Sequence, residues 1–101
     1  MDIQTITTGD SHELIVSGRI DGEGANKMEE EILKTMRAGA KTIYVNLNSA
    51  TFICSAGLRV LLQYWRQMKN SQRTLLATRP SAEVDAVLVT SGFREMIVEK
   101  V

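Results

Sequence analysis

The spacing of apolar residues changes several times along this chain, and these changes limit the folds it can adopt. Residues 3–8 are rich in Ile and Thr, and residues 13–20 alternate apolar with polar side chains. Both patterns are typical of β-strands, and Gly9-Asp10-Ser11 between them supplies turn residues. The start of the chain is therefore predicted to be an antiparallel hairpin.

After the hairpin, helical and strand-like segments follow each other in turn. The predicted helices cover residues 25–38, a segment from Ser55 to Met68, and a shorter segment that begins after Ser81. The predicted strands cover residues 41–47, 74–78 and 96–101, and a loop is expected around residues 48–50. The core-facing stripe predicted for the second helix consists of Leu58, Leu61, Leu62, Trp65 and Met68.

The resulting order of elements is ββαβαβαβ. Strand–helix–strand units favour right-handed crossovers and parallel pairing, whereas the opening hairpin is antiparallel. We therefore expect an α/β fold with a mixed β-sheet that is covered by helices. With 101 residues, the chain has the usual length of one domain, so residues 1–101 are assigned to a single domain.

Composition excludes several classes of function. The chain has 12 basic and 12 acidic residues and a net charge of zero, whereas a general nucleic-acid-binding protein needs a basic excess. Its apolar runs are too short for membrane insertion. One cysteine cannot form an internal disulfide, and the N-terminus does not resemble an export signal. A cytoplasmic location is therefore expected.

Ser55 is the first candidate for a functional residue. It stands at the predicted start of a helix, where free backbone N–H groups and the helix dipole favour negative charge. A phosphate on its hydroxyl would be stabilised there. An ordinary N-cap fits the same spacing, with the hydroxyl accepting from the amide of Gly57 or Leu58 and contributing about 1 kcal/mol. The spacing alone leaves both interpretations open.

Cys54 and His12 are weaker candidates. A thiol beside a helix N-terminus can be reactive, but a catalytic cysteine needs a base. The only histidine, His12, lies in the predicted hairpin, where it is expected at the surface. One histidine without further ligands makes no metal site. We therefore expect a bystander thiol, no metal and no cofactor.

Three segments together resemble a known family. They are Gly18-Arg19-Ile20-Asp21, the run from Phe52 through Cys54-Ser55-Ala56-Gly57-Leu58-Arg59 to Leu62, and Ser91-Gly92-Phe93. In this order and spacing they resemble the bacterial STAS-domain anti-sigma factor antagonists, and the resemblance covers essentially the whole chain. It implies a STAS-like domain and a regulatory binding protein rather than an enzyme.

The resemblance implies a phosphorylation switch at Ser55. In such proteins the matching serine is phosphorylated by an anti-sigma factor that is a serine-protein kinase with a histidine-kinase-like ATP-binding fold. A PP2C-type phosphatase removes the phosphate. The unphosphorylated antagonist binds the anti-sigma factor and thereby frees the sigma factor to direct transcription, a mechanism called partner switching. ATP and magnesium belong to the kinase.

The chain departs from the family pattern at two positions. Asp often precedes the phosphorylated serine, whereas Cys54 stands here. A second hydroxyl residue often follows it, whereas Ala56 stands here, which leaves Ser55 as the only hydroxyl at the tip. Asp21 matches the acidic residue of the first motif. It is interpreted either as a cap for the first helix or as a residue that positions Ser55.

The predicted partner-binding surface surrounds this turn. Its residues are Asp21, Cys54, Ser55, Ala56, Gly57, Leu58, Arg59, Val60, Gln63 and Tyr64. Val60 and Tyr64 are expected to be its exposed apolar contacts, and a merely solvated helix face is the alternative. The alternative function is a STAS subunit of another assembly, such as a lipid-transport complex or a stress-signalling scaffold. Such a subunit would act by protein binding without reversible phosphorylation.

Overall fold

The computed structural model describes residues 1–98, which form one five-stranded sheet and three α-helices. The strands are β1 (Asp2–Thr8), β2 (Ser11–Ile20), β3 (Thr42–Ile53), β4 (Thr74–Thr78) and β5 (Ile97–Val98). The helices are α1 (Gly22–Arg37), α2 (Ser55–Asn70) and α3 (Ala82–Thr90), and a 3-10 turn covers Arg94–Met96. The predicted α/β fold is confirmed. Of the last predicted strand, residues 99–101 lie outside the described residues.

The strands lie side by side in the order in which they occur along the chain. β1 and β2 pair antiparallel, and β2, β3, β4 and β5 pair parallel. Each strand lies beside the one that precedes it in the chain, so the sheet extends in one direction from β1 to β5. Because βαβ crossovers are right-handed, the three helices come to lie on one face of the sheet.

The hydrophobic core lies between this face and the helices. Leu14 on β2 is aligned with Val45 on β3, and Val45 is aligned with Ala77 on β4; all three are fully buried. On the opposite face the aligned pair Glu13 and Tyr44 is only half-buried. The sheet therefore has one covered face and one that the described residues leave partly open, as is common for sheets with antiparallel strands.

The predicted loop at residues 48–50 is wrong, because β3 continues through it to Ile53. In this part of β3 the buried residues Leu47, Ala50 and Ile53 are three apart, so the alternating pattern is lost. Pairing keeps the segment extended: Ser49 and Ala50 lie opposite Ser17 and Gly18 of β2. The register of β2 and β3 shifts on both sides of that pair.

Two sequence predictions about burial also change. His12 is buried, with 9% of its surface exposed, since it lies on the same face of β2 as Leu14; its Nδ1 is 3.2 Å from Oγ1 of Thr7. The prediction that His12 lies at the surface is therefore wrong. On α2, Leu61 and Met68 are buried as predicted, whereas Leu58, Leu62 and Trp65 are only partly buried.

No helix within residues 1–98 has the length and apolar character required to cross a lipid bilayer.

Candidate functional site at the start of α2

The carboxyl ends of β2 and β3 bring the starts of α1 and α2 to one edge of the sheet. Ile20 and Ile53, the last residues of these strands, are aligned. The amide of Cys54 then donates a hydrogen bond of 2.9 Å to the carbonyl oxygen of Ile20. Asp21 and Ser55 follow directly, so the structure places both at this edge.

Ser55 is exposed and is the first residue of α2, not its cap. The amide of Leu58 donates to the carbonyl oxygen of Cys54 at 3.1 Å, which makes Cys54 the N-cap. The interpretation of Ser55 as an N-cap, with its hydroxyl accepting from Gly57 or Leu58, is therefore wrong. Ser55 is exposed to solvent, and within residues 1–98 its hydroxyl makes no hydrogen bond.

The first turn of α2 has no side-chain cap. Cys54 has the extended backbone of an N-cap, with φ −88° and ψ 174°, but its thiol accepts no hydrogen bond from the helix. Because the first amides of a helix have no acceptor within it, those of α2 remain available to an anion beside Ser55. A helix of 16 residues also contributes a favourable dipole.

Gly57 allows α2 to begin directly against the sheet. A Cβ atom on Gly57 would lie 2.8 Å from Cγ1 of Ile53 and 2.9 Å from Cγ2 of Ile20. Real Cβ atoms do not approach other carbons so closely, and Gly57 is buried. Its part in the site is to position the first turn of α2 rather than to offer a contact surface.

Asp21 caps α1. Its Oδ1 accepts a hydrogen bond of 2.8 Å from the amide of Gly24, which confirms the cap interpretation. The carboxylate remains exposed at the same sheet edge as Ser55. It therefore contributes negative charge to this end of the molecule.

The predicted contact residues differ widely in exposure. Asp21, Ser55, Arg59 and Gln63 are exposed, Cys54, Ala56 and Leu58 are half-buried, and Gly57, Val60 and Tyr64 are buried. Val60 and Tyr64 are only 8% and 4% exposed, so the prediction that they are exposed apolar contacts is wrong. The buried side of α2 extends further around the helix than the predicted stripe, because α2 packs against α1 as well as the sheet.

A hydrogen bond between the two helices fixes Tyr64 in this buried position. Its hydroxyl donates to Oε2 of Glu29 on α1 at 2.7 Å. Burial raises the pKa of Tyr64 to about 12, with further increases from the hydrogen bond and the negative charge of Glu29. Tyr64 therefore links α2 to α1 and is neutral at physiological pH.

An arginine–aromatic contact near the site was not foreseen from the sequence. The guanidinium carbon of Arg19 lies 4.2 Å from the centroid of the Phe52 ring, and Phe52 is 36% exposed. The two residues are opposite each other in the β2–β3 register, one pair before Ile20 and Ile53. Only that register reveals the contact, because the residues are far apart in the chain.

Residues 1–98 contain no group of three His, Cys, Asp or Glu side chains that could hold a metal ion. Cys54 is half-buried and is the only cysteine in the chain. The chemical groups of the site are the exposed hydroxyl of Ser55 and the N-terminus of α2.

Known proteins resemble this chain along nearly its whole length. The anti-sigma-B factor antagonist of Staphylococcus epidermidis is 22% identical over 97 residues, which are 96% of this chain and 90% of that protein. The protein of the same name from Staphylococcus aureus shows the same identity and coverage.

Solved structures share the fold. The anti-sigma factor antagonist SpoIIAA in its unphosphorylated form matches with a TM-score of 0.86 and 20% identity, over 99% of this chain and 89% of that one. The phosphorylated form of SpoIIAA from Bacillus matches with a TM-score of 0.79 and 18% identity, over 99% of this chain and 92% of that one. The family model described as "Mlab, STAS domain" matches residues 3–99. The chain belongs to the STAS domain family.

Proposed function

We propose that this chain is an anti-sigma factor antagonist that is switched by phosphorylation of Ser55. The observation that carries the proposal is the exposed Ser55 hydroxyl, which makes no hydrogen bond within residues 1–98 and begins a helix without a side-chain cap. The staphylococcal relatives, named as anti-sigma-B factor antagonists, support the regulatory part of the proposal.

Phosphate on Ser55 would be tolerated by the fold. It adds about −1.5 to −2 charges at neutral pH. The free amides and the dipole at the start of α2 stabilise negative charge at that position. We therefore expect the phosphorylated protein to keep its structure, and the existence of solved structures of SpoIIAA in both forms agrees with this expectation.

The phosphate would act instead on the surface that meets the partner. The exposed residues Arg59 and Gln63 follow Ser55 by four and eight residues along the same side of α2, and Asp21 is exposed at the same edge of the sheet. All three remain part of the proposed contact. Burying an unmatched phosphate against another protein costs several kcal/mol, which is enough to weaken binding about a thousandfold. Asp21 adds to this cost because it is an exposed carboxylate at the same edge.

The proposed partners are a kinase and a phosphatase of the cytoplasm. An anti-sigma factor with a histidine-kinase-like ATP-binding fold would bind the unphosphorylated chain, release its sigma factor and phosphorylate Ser55. A PP2C-type phosphatase would remove the phosphate. In this scheme the chain supplies a hydroxyl and a binding surface but catalyses nothing itself.

Incubation with the cognate kinase and ATP, followed by mass spectrometry, tests the assignment. We expect one phosphate on Ser55 and none on the Ser55→Ala variant. Ser49→Ala is the matched control, because Ser49 is an exposed serine near the end of β3. Phosphate at another residue, or undiminished transfer to Ser55→Ala, would contradict the proposal.

A second candidate is a STAS subunit of another assembly that is not reversibly phosphorylated. Two observations favour it: the matching family model is described as "Mlab, STAS domain", and Cys54 replaces the Asp that often precedes the phosphorylated serine. Affinity purification from the native cells separates the two candidates. A histidine-kinase-like partner supports the phosphorylation switch, whereas transporter subunits support the second candidate.

A further inference from the structure

A partly exposed tryptophan stands between two depressions near the opposite end of α2 from Ser55. Trp65 is the only tryptophan in the chain. A depression of about 320 Å³ lies between α2 and residues 91–96, and one of about 260 Å³ lies between α2 and the start of β4. Trp65 lines both of them, and Ser55 is ten residues away, roughly 15 Å along the helix axis.

The walls of these depressions combine apolar and polar side chains. Leu62 and Phe93 line the larger one and are only partly buried, and Met96 lies deeper. Leu75 lines the smaller one. Partly exposed aromatic side chains in a concave surface are typical of the residues that contribute most to protein–protein binding. We name Leu62, Trp65, Arg66, Lys69 and Phe93 the Trp65 groove.

The charges around the Trp65 groove are mostly positive. Arg66, Lys69 and Arg73 line the two depressions together with a single acid, Glu95. The chain as a whole has equal numbers of acidic and basic residues, so three cations beside one acid are a local excess. This charge favours an acidic partner.

Two of these cations are held in place. The Lys69 ammonium lies 5.0 Å from the centroid of the Trp65 ring. The Arg73 guanidinium donates to the carbonyl oxygens of Ala40 and Met36 at 3.3 and 3.5 Å. Because these two side chains are already ordered, binding a partner costs less side-chain entropy than it would if they were free.

The shape favours a helix over a lipid surface. Residues three or four apart on a helix have Cβ atoms about 5–6 Å apart, so one helix can present two neighbouring side chains to two adjacent depressions. A membrane surface is flat and soft, and it is bound by protruding side chains rather than by concave ones.

We propose that the Trp65 groove binds an amphipathic helix of a partner protein that presents apolar residues to the two depressions and carboxylates to the surrounding cations. The proposal does not depend on phosphorylation of Ser55. It remains testable whether or not the chain is an anti-sigma factor antagonist.

Fluorescence of Trp65 provides the test, because no other tryptophan contributes to the signal. The probe is a synthetic amphipathic helix with Leu on one face and Glu on the other, and the control peptide has Lys in place of every Glu. We expect the Glu peptide to bind saturably and to shift Trp65 emission to shorter wavelengths as water leaves the ring. Rising salt concentration should weaken this binding.

Removing positive charges from the Trp65 groove tests whether the peptide binds there. The double variant Arg66→Gln, Lys69→Gln should weaken binding of the Glu peptide by about tenfold or more. Lys34→Gln, at an exposed position of α1, is the matched control and should bind as the unchanged protein does. Circular dichroism checks that each variant is folded. If the double variant does not fold, the salt dependence of peptide binding to the unchanged protein tests whether charge is required.

Three results would overturn the proposal. They are equal binding of the Lys peptide, an equal loss in Lys34→Gln, and a shift of Trp65 emission with phosphatidylglycerol vesicles but not with the Glu peptide. The last result would identify a membrane surface as the occupant.

Discussion

The hydroxyl of Tyr64 and the carboxylate of Glu29 join α2 to α1 through a hydrogen bond of 2.7 Å between two partly or fully buried side chains. Replacing Tyr64 with Phe keeps the ring packing and removes only this bond. We expect the free energy of unfolding to fall by about 1–2 kcal/mol, because the acceptor is charged but Glu29 can regain some water. Urea denaturation at neutral pH measures the change. Tyr44→Phe, on the open face of the sheet, is the control and should change stability much less.

The same residue should make stability sensitive to alkaline pH. The folded protein holds the Tyr64 proton up to a pKa of about 12, compared with the ordinary value of 10.0 in the unfolded chain. At pH values between these two pKa values the folded state binds more protons than the unfolded chain. The stability that the Tyr64 proton contributes is therefore fully present below pH 10 and falls as the pH rises towards 12. In urea denaturation at pH 9 and pH 11, Tyr64→Phe should lose less stability than the unchanged protein. An equal loss in both proteins would contradict the prediction.

Adding one methyl group to Gly57 should disturb the start of α2. Its Cβ would lie 2.8 Å from Ile53 and 2.9 Å from Ile20, and both isoleucine side chains are buried. We expect Gly57→Ala to cost about 1–2 kcal/mol, since crowding in the core outweighs the better helix propensity of Ala. Gly22→Ala is the matched control, because a Cβ at the start of α1 meets nothing within 4 Å. If thermal unfolding shows that Gly57→Ala and Gly22→Ala lose equal stability, crowding at Gly57 is not the cause.

An aspartate at the N-cap of α2 should stabilise the protein. Cys54 has the backbone conformation of a cap without a hydrogen-bonding side chain. Cys54→Asp and Cys54→Asn should each raise the free energy of unfolding by about 1 kcal/mol, whereas Cys54→Ala should not. If a carboxylate at this position assists phosphoryl transfer, only Cys54→Asp will also be phosphorylated faster at Ser55. Equal stability of the Asp, Asn and Ala variants in chemical denaturation would argue against a missing cap.

A negative charge at Ser55 should strengthen the fold while it weakens binding. We expect Ser55→Asp to gain about 0.5 kcal/mol from the dipole of α2, and this gain should shrink in high salt. Ser71→Asp is the matched control, because Ser71 lies at the other end of the same helix and a negative charge there is unfavourable. Binding of Ser55→Asp to the anti-sigma factor, measured by calorimetry, should be much weaker than that of the unchanged protein. Equal affinity would mean that charge is not the switch.

The sequence was sufficient to predict most of the fold, because β2, α1, the first half of β3 and α2 each follow a clear apolar period. It failed where contacts between distant segments decide the outcome. Residues 48–50 contain no alternating pattern and are extended only because they pair with β2. Val60 and Tyr64 lie outside the predicted stripe and are buried because α1 packs beside α2.

The sequence placed Ser55 at the start of a helix, as the structure does, but it did not predict the details of that turn. The motif places Ser55 at a helix start, yet its position after the cap depends on the backbone of Cys54. Similarly, the composition of the Gly57 turn does not reveal that Ile20, 37 residues earlier, lies directly beneath it. Local patterns identify such a turn, and only the packed strands determine which atoms it exposes.

The close contact of Gly57 with Ile20 and Ile53 has a consequence for any enzyme that modifies Ser55. The hydroxyl is attached to a helix end that rests on the protein interior, so it cannot extend into an active-site cleft as a flexible segment does. A kinase for Ser55 would have to fit its catalytic groups around a rigid, folded surface. An isolated peptide with the sequence of residues 50–62 should therefore be a poor substrate, even though it contains every residue of the motif.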